Sequence, residues 1–245
     1  RGTMLGARLS RTRVEIPDFD APVSTLRVKG QAAGPTAEFL KFIAQSPIAE
    51  RIDHFTDDLR ATGNGQLDLA LSIPLDEALL GNSKIEGTFL LNNNDVVFDE
   101  ALPAIRQASG SIQFSGSDVR VPEINGTLFG GPLRIKGGLQ KDGRVLIAAN
   151  GTVSVAQLRA HADSPWLGSL SGATSYRGEV RINKRTADLS IESSLLGIAS
   201  SLPAPLAKSA TEPLALRFEK VNLAGPANAP AGMPAGAAPR PQINV

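Results

Sequence analysis

The chain has 245 residues, 25 Lys plus Arg against 24 Asp plus Glu for a formal net charge of +1, two histidines and no cysteine. Without cysteine, thiol nucleophiles, iron–sulfur clusters, Cys-based zinc sites and disulfides are excluded together, and two histidines supply little for a metal site or relay. A near-neutral balance gives no electrostatic case for a nucleic-acid binder, and no apolar run approaches the roughly 18–20 residues of a spanning helix.

The chain opens Arg1-Gly2-Thr3-Met4 in the middle of what reads as a strand, as an excised fragment would. Gly34-Pro35 starts a short helix, with Pro35 at the first helical position, Glu38 in the first turn, and Phe39, Leu40 and Ile43 on a common face; it stops at Ser46, before Pro47. Pro47 starts a second, with Ile48, Ile52, Phe55 and Leu59 at helical spacing. From there the dominant period is two. Leu67, Leu69, Leu71 and Ile73 share one face of a strand that runs back to Ala61, and Gly63-Asn64-Gly65 marks a bulge or kink within it. Ile85, Phe89 and Leu91 repeat the pattern, followed by Asn92-Asn93-Asn94-Asp95, which reads as a turn. Ile112 with Phe114, then Leu133, Ile135 and Leu139, then Val145 and Ile147 continue it, with a turn at Lys141-Asp142-Gly143-Arg144. Residues 154–161 carry a weak helical signal. Tyr176, Val180 and Ile182 lead through a hairpin into Leu189 and Ile191. Residues 195–208 read as a helix broken by Pro203 and Pro205, and Leu214, Leu216 and Phe218 form a last strand. The Ala/Pro/Gly tract 225–245 lacks apolar periodicity and reads as a disordered linker, leaving a folded domain at 1–224.

Glu86-Gly87-Thr88-Phe89, Asn125-Gly126-Thr127-Leu128 and Asn150-Gly151-Thr152-Val153 share one form at unequal spacings. They are either equivalent positions in a quasi-repetitive sheet or the ordinary use of Gly-Thr in strands.

Candidate chemistry is sparse. Asp53-His54 with Asp57-Asp58 lies on the polar side of the second helix and reads as a solvated face, since a zinc site needs further ligands and His161 is over a hundred residues away. No Gly-x-Ser-x-Gly elbow is present. Gly63-Asn64-Gly65 leads into a strand, not the helix a P-loop requires. Asn92–Asp95 lacks the Gly and Glu of a calcium loop. One Trp and one Tyr offer little for base stacking. Nothing catalytic emerges, and no cofactor is called for. What remains is aliphatic alternation. It fits a closed sandwich or barrel core, or a curved sheet whose apolar face is left uncovered, and periodicity does not separate the two.

Three stretches go further: Gly34-Pro35-Thr36-Ala37-Glu38-Phe39-Leu40-Lys41-Phe42-Ile43-Ala44-Gln45-Ser46-Pro47-Ile48 with Ala61-Thr62-Gly63-Asn64-Gly65-Gln66-Leu67-Asp68-Leu69, then Asn125-Gly126-Thr127-Leu128-Phe129-Gly130-Gly131-Pro132-Leu133, then Glu192-Ser193-Ser194-Leu195-Leu196-Gly197-Ile198-Ala199-Ser200-Ser201-Leu202-Pro203-Ala204-Pro205-Leu206-Ala207-Lys208. In this order they resemble the central region of the YhdP family, AsmA-like proteins of the Gram-negative envelope. The resemblance implies a mainly β fold: a long, strongly twisted antiparallel sheet forming an open, taco-like groove, with a few short helices. It implies a periplasmic, non-enzymatic segment that holds or conducts phospholipid acyl chains between inner and outer membrane. The partners implied are other segments of a larger protein and the inner membrane, reached through an anchor outside these residues, with no nucleic acid. The alternative is a structural or assembly β-domain with a closed core and no lipid. On the groove reading the expected lining is Leu67, Leu69, Leu71, Ile85, Phe89, Leu91, Ile112, Phe114, Leu133 and Ile135, with Asp68, Arg134, Lys136 and Glu179 on the convex face.

Overall fold

The computed structural model describes residues 2–4, 7–19, 23–45, 56–57, 59–98, 102–116, 118–161, 164–183, 186–223 and 243–244. The second expected helix, from Pro47, and the Asp53-His54-Asp58 cluster lie outside them, as does all of the 225–245 tract except 243–244.

The strands are β1 (Gly2–Met4), β2 (Ala7–Glu15), β3 (Thr25–Pro35), β4 (Arg60–Ala61), β5 (Asn64–Pro74), β6 (Lys84–Val97), β7 (Ile105–Ser115), β8 (Asp118–Leu128), β9 (Gly131–Leu139), β10 (Val145–Ser154), β11 (Leu170–Asn183), β12 (Thr186–Ser193), β13 (Ile198–Ser200), β14 (Leu216–Leu223) and β15 (Ile243–Asn244). They form one sheet in the order β1-β2-β3-β5-β6-β7-β8-β9-β10-β11-β12-β14-β15, with β4 added to β6 and β13 to β11. Every pairing is antiparallel. The edge strands β1 and β15 do not meet, so the sheet is open.

Among the described residues two α-helices lie at the same end of the strands: α1 (Thr36–Ala44) and α2 (Val155–His161). A 3₁₀ turn at Pro165–Ser169 shares that end, and another at Glu77–Asn82 sits at the opposite one. Pro35 does not occupy the first helical position. Its ψ of 133° is extended and it still pairs with Asn64, so it ends β3 and caps the helix that begins at Thr36. The start of α2 is a reciprocal cap: Ser154 Oγ accepts from Gln157 N at 3.2 Å, and Gln157 Oε1 accepts from Ser154 N at 2.9 Å.

Two expected features take another form. Asn92–Asp95 is no turn; it lies inside β6, where the pairing with β7 slips between Leu91 and Asn94 and again before Val96. Asn93 takes a φ of +53°, which asparagine tolerates, and Asn94 turns inward, fully buried, to donate to Asn64 O at 2.9 Å. This bulge faces the kink at Gly63, which separates β4 from β5 as the Gly63-Asn64-Gly65 reading expected; Thr62 N donates to Asp95 O at 2.9 Å across it. Residues 195–208 form no helix. Ile198–Ser200 pairs with the start of β11 instead, and the rest folds back so that Ser200 bridges Lys208. Gly197 at φ +92° and the two prolines make a continuous helix impossible there. Lys208 Nζ ties the fold-back together, donating to Leu195 O and Ser209 O, each at 3.0 Å, and to Ile198 O.

The core is thin. Among the described residues the buried hydrophobic side chains fall mainly in three clusters on the same face of the sheet. Ala32 and Phe39 gather Leu9, Leu67 and Phe89 beneath α1. Ala108, Val121 and Ile124 gather Leu91, Val96, Ile105, Ile112, Ile135 and Ile147. Ala187 and Leu189 gather Val180, Ile182, Ile191 and Phe218, together with Phe98 and Leu102 from the connection between β6 and β7.

That third cluster fixes the curvature. Residues 98 and 102 leave β6 at the helix-bearing end, whereas Ala187 lies at the hairpin end of β12. Six interstrand steps separate the two strands. At roughly 20–25° per step, β12 is turned by roughly 120–150° relative to β6, which carries the end of one over the far end of the other. The apolar face is therefore the inside of the curl.

Candidate functional site

Period two, carried through an antiparallel register, places side chains on a common face. Leu67, Leu69 and Leu71 of β5 stand opposite Phe89, Gly87 and Ile85 of β6. Phe89 and Gly87 in turn face Ile112 and Phe114 of β7. Ile124 of β8 faces Ile135 of β9, and Gly126 faces Leu133. All ten side chains expected as lining thus share the inner face. One row crosses ten strands without a polar residue: Gly34, Gly65, Leu91, Gly110, Ile124, Ile135, Ala149, Gly178, Ile191 and Phe218. At about 4.8 Å per step it runs roughly 43 Å.

The ten are not equally available. α1 sits on Leu67 and Phe89, with Phe39 edge-on to Phe89 at 5.1 Å between ring centroids. Leu91, Ile112 and Ile135 pack in the second cluster, and Leu133 is buried. Leu69, Leu71, Ile85 and Phe114 belong to none of the three clusters and remain half-buried. Among the described residues no helix or buried cluster covers the hairpin-end half of the face across β5, β6 and β7. Val180, Ile182, Leu189, Ile191 and Phe218 extend the face beyond the expected set, and their strand alternation already carried that signal.

Polar side chains also reach this face: Lys220 stands opposite Leu189, Asn94 opposite Ala108, and Tyr176 and Thr174 lie on β11. Tyr176 stands across from Gly151, with its hydroxyl buried and without a hydrogen-bond partner. Burial pushes its phenol up to about 12. Thr174 is buried beside it on β11 and shares a 3.2 Å hydrogen bond with Ser193 Oγ.

The outer face carries most of the charges. Glu123 pairs with Lys136 at 3.0 Å and Arg134 at 3.7 Å, and hydrogen bonds from Asn125 and Lys136 hold its carboxyl below the usual range. Glu179 pairs with Arg181 at 2.7 Å, and Arg217 bridges Glu192 and Glu219. Asp68, half-buried, shares this outer face. The face is not uniformly convex. A hollow of about 950 Å³ opens on it among Arg8, Gln66, Leu90, Ser111 and Glu123, as a saddle-shaped sheet permits.

The Asn125-Gly126-Thr127 and Asn150-Gly151-Thr152 stretches are equivalent positions, since Gly126 and Gly151 both face Leu133. Glu86-Gly87-Thr88 lies in another row, with Gly87 facing Leu69 and Phe114. His161 is occupied locally, its Nδ1 donating to Gln157 O at 2.8 Å. Among the described residues no three His, Asp or Glu side chains gather as metal ligands, and no helix is long and apolar enough to cross a membrane.

An open antiparallel sheet, curled about one mainly apolar face and mostly charged on the other, defines a groove-forming β protein. The chain belongs to the YhdP family, whose model, described as YhdP protein, matches residues 1–228. It is similar to the intermembrane phospholipid transporter YhdP of Escherichia coli (strain K12), at 25% identity over 222 residues, which are 87% of this chain and 17% of that protein. The chain thus spans about a sixth of the relative's length. No solved structure matches it.

Proposed function

We propose that the inner face is a segment of a groove that holds phospholipid acyl chains and passes them between inner and outer membrane, without catalysing a reaction. The observation that carries this reading is the half of the face outside the three buried clusters, where Leu69, Leu71, Ile85 and Phe114 are half-buried and no helix among the described residues covers them, continuous with an apolar row roughly 43 Å long. An acyl chain gains about 0.8 kcal/mol for each CH₂ removed from water, so sixteen carbons carry on the order of 12 kcal/mol. Half coverage is enough to hold it, and no directional contact is needed. The name of the Escherichia coli relative supports phospholipid as the cargo. On this reading 1–224 is the groove domain and 225–245 a linker whose Ile243–Asn244 pairs back onto β14, the setting is periplasmic, and other segments of a longer protein supply continuity and an inner-membrane anchor.

Organic extraction of the purified protein followed by mass spectrometry tests it, with a Leu69→Asp/Leu71→Asp variant alongside. Near-stoichiometric phospholipid in the wild type, lost from a still-folded variant, is the expected result. No lipid in either favours a structural β-domain instead.

A further inference from the structure

The third cluster contains an unusual contact. Phe98 and Leu102 come from the connection between β6 and β7, yet they rest on Ala187 and Leu189 of β12, six strands from β6. They pack on Ala187 and Leu189, the buried pair that Val180, Ile182, Ile191 and Phe218 also pack against, and this surface continues the apolar row through Ala149 and Gly178. Gly178 adds space: a Cβ there would find no heavy atom nearer than 3.7 Å. Apolar burial is non-directional, so the same surface that accepts a phenyl ring and an isobutyl group accepts a hydrocarbon chain.

We propose that the β11–β12–β14 surface is a second acyl-chain station, occupied in the empty protein by Phe98 and Leu102, which an incoming chain displaces. This rests on the acyl-chain reading above. Phe98 and Leu102 then act as a resident stopper, dividing the groove into an open station at β5–β7 and a closed one at β11–β14.

The chain has no cysteine, so a Leu102→Cys/Leu189→Cys variant provides one clean tether. Vesicles containing phosphatidylglycerol with a diazirine in one acyl chain are incubated with the oxidised and the reduced variant, irradiated, and peptide adducts are located by mass spectrometry. Reduced protein should carry adducts on both β5–β7 and β11–β14 peptides. Oxidation should remove the β11–β14 adducts at least tenfold while leaving those on β5–β7. Adducts on β11–β14 that are insensitive to oxidation, or absent in both states, overturn the proposal while β5–β7 labelling keeps the groove reading. Loss of labelling everywhere overturns both. A Phe98→Ser/Leu102→Ser variant, checked for fold by circular dichroism, should increase β11–β14 labelling several-fold; a decrease would make these residues a tie holding the curl and overturn the proposal.

Discussion

The ring of Phe89 lies over Gly65 of the neighbouring strand, in the space a Cβ would need. Phe39 of α1 meets that ring from above at 5.1 Å, so Phe89 has nowhere to retreat. The glycine lets the sheet seat a large side chain flat on its inner face, and the helix holds it there. Gly65→Ala should therefore destabilise the fold by about 1–3 kcal/mol through overpacking. Gly178→Ala, on the same row, meets only ordinary contacts and should stay within about 1 kcal/mol of wild type or gain slightly from a stiffer unfolded chain. Urea unfolding of the two variants checks the contrast.

Lys208 holds three carbonyl groups of the fold-back that follows β12. Lys208→Met keeps the stem and removes every donor. The expected loss is about 1.5–3 kcal/mol, the range for hydrogen bonds made by a charged group, since three carbonyls lose their donor. Hydrogen exchange should accelerate at residues 195–200 before the rest of the sheet is affected, which separates a local tie from a global one.

Tyr176 is the single tyrosine of the chain, so its ionisation is read without interference. Burial raises the phenol from 10.0 to about 12. The fold therefore favours the neutral form. Its contribution to stability is complete below pH 10 and is lost as the pH rises towards 12. Absorbance titration near 295 nm should show ionisation delayed past pH 11 in the folded protein, and an ordinary phenol near 10 in urea. A midpoint near 10 without urea would place the hydroxyl in solvent.

Much of the inner face was legible because antiparallel pairing preserves period two: once Leu67, Leu69 and Leu71 share a face, register carries Ile85, Phe89, Ile112 and Phe114 onto it. The reading failed where a strand breaks its own period. Val121 and Ile124 are both buried on the inner face although three residues apart, because pairing with β9 slips between them, next to Pro122. β8 consequently gave no alternation to find. Asn92–Asp95 misled in the same way, since its composition suits a turn and a bulge equally. The contact of Phe98 and Leu102 with β12 had no local signal at all. It depends on twist accumulated over six strands, and so did the choice between the covered and open halves of the face.

The most direct test of the central claim uses β5 alone. A benzophenone side chain is placed singly at 68, 69, 70 and 71, the protein is produced in a Gram-negative host, irradiated, and its intact mass recorded. The groove account predicts a phospholipid adduct at 69 and 71 and none at 68 and 70, repeating the period of the strand. Adducts at 68 and 70, or at no position, would contradict it.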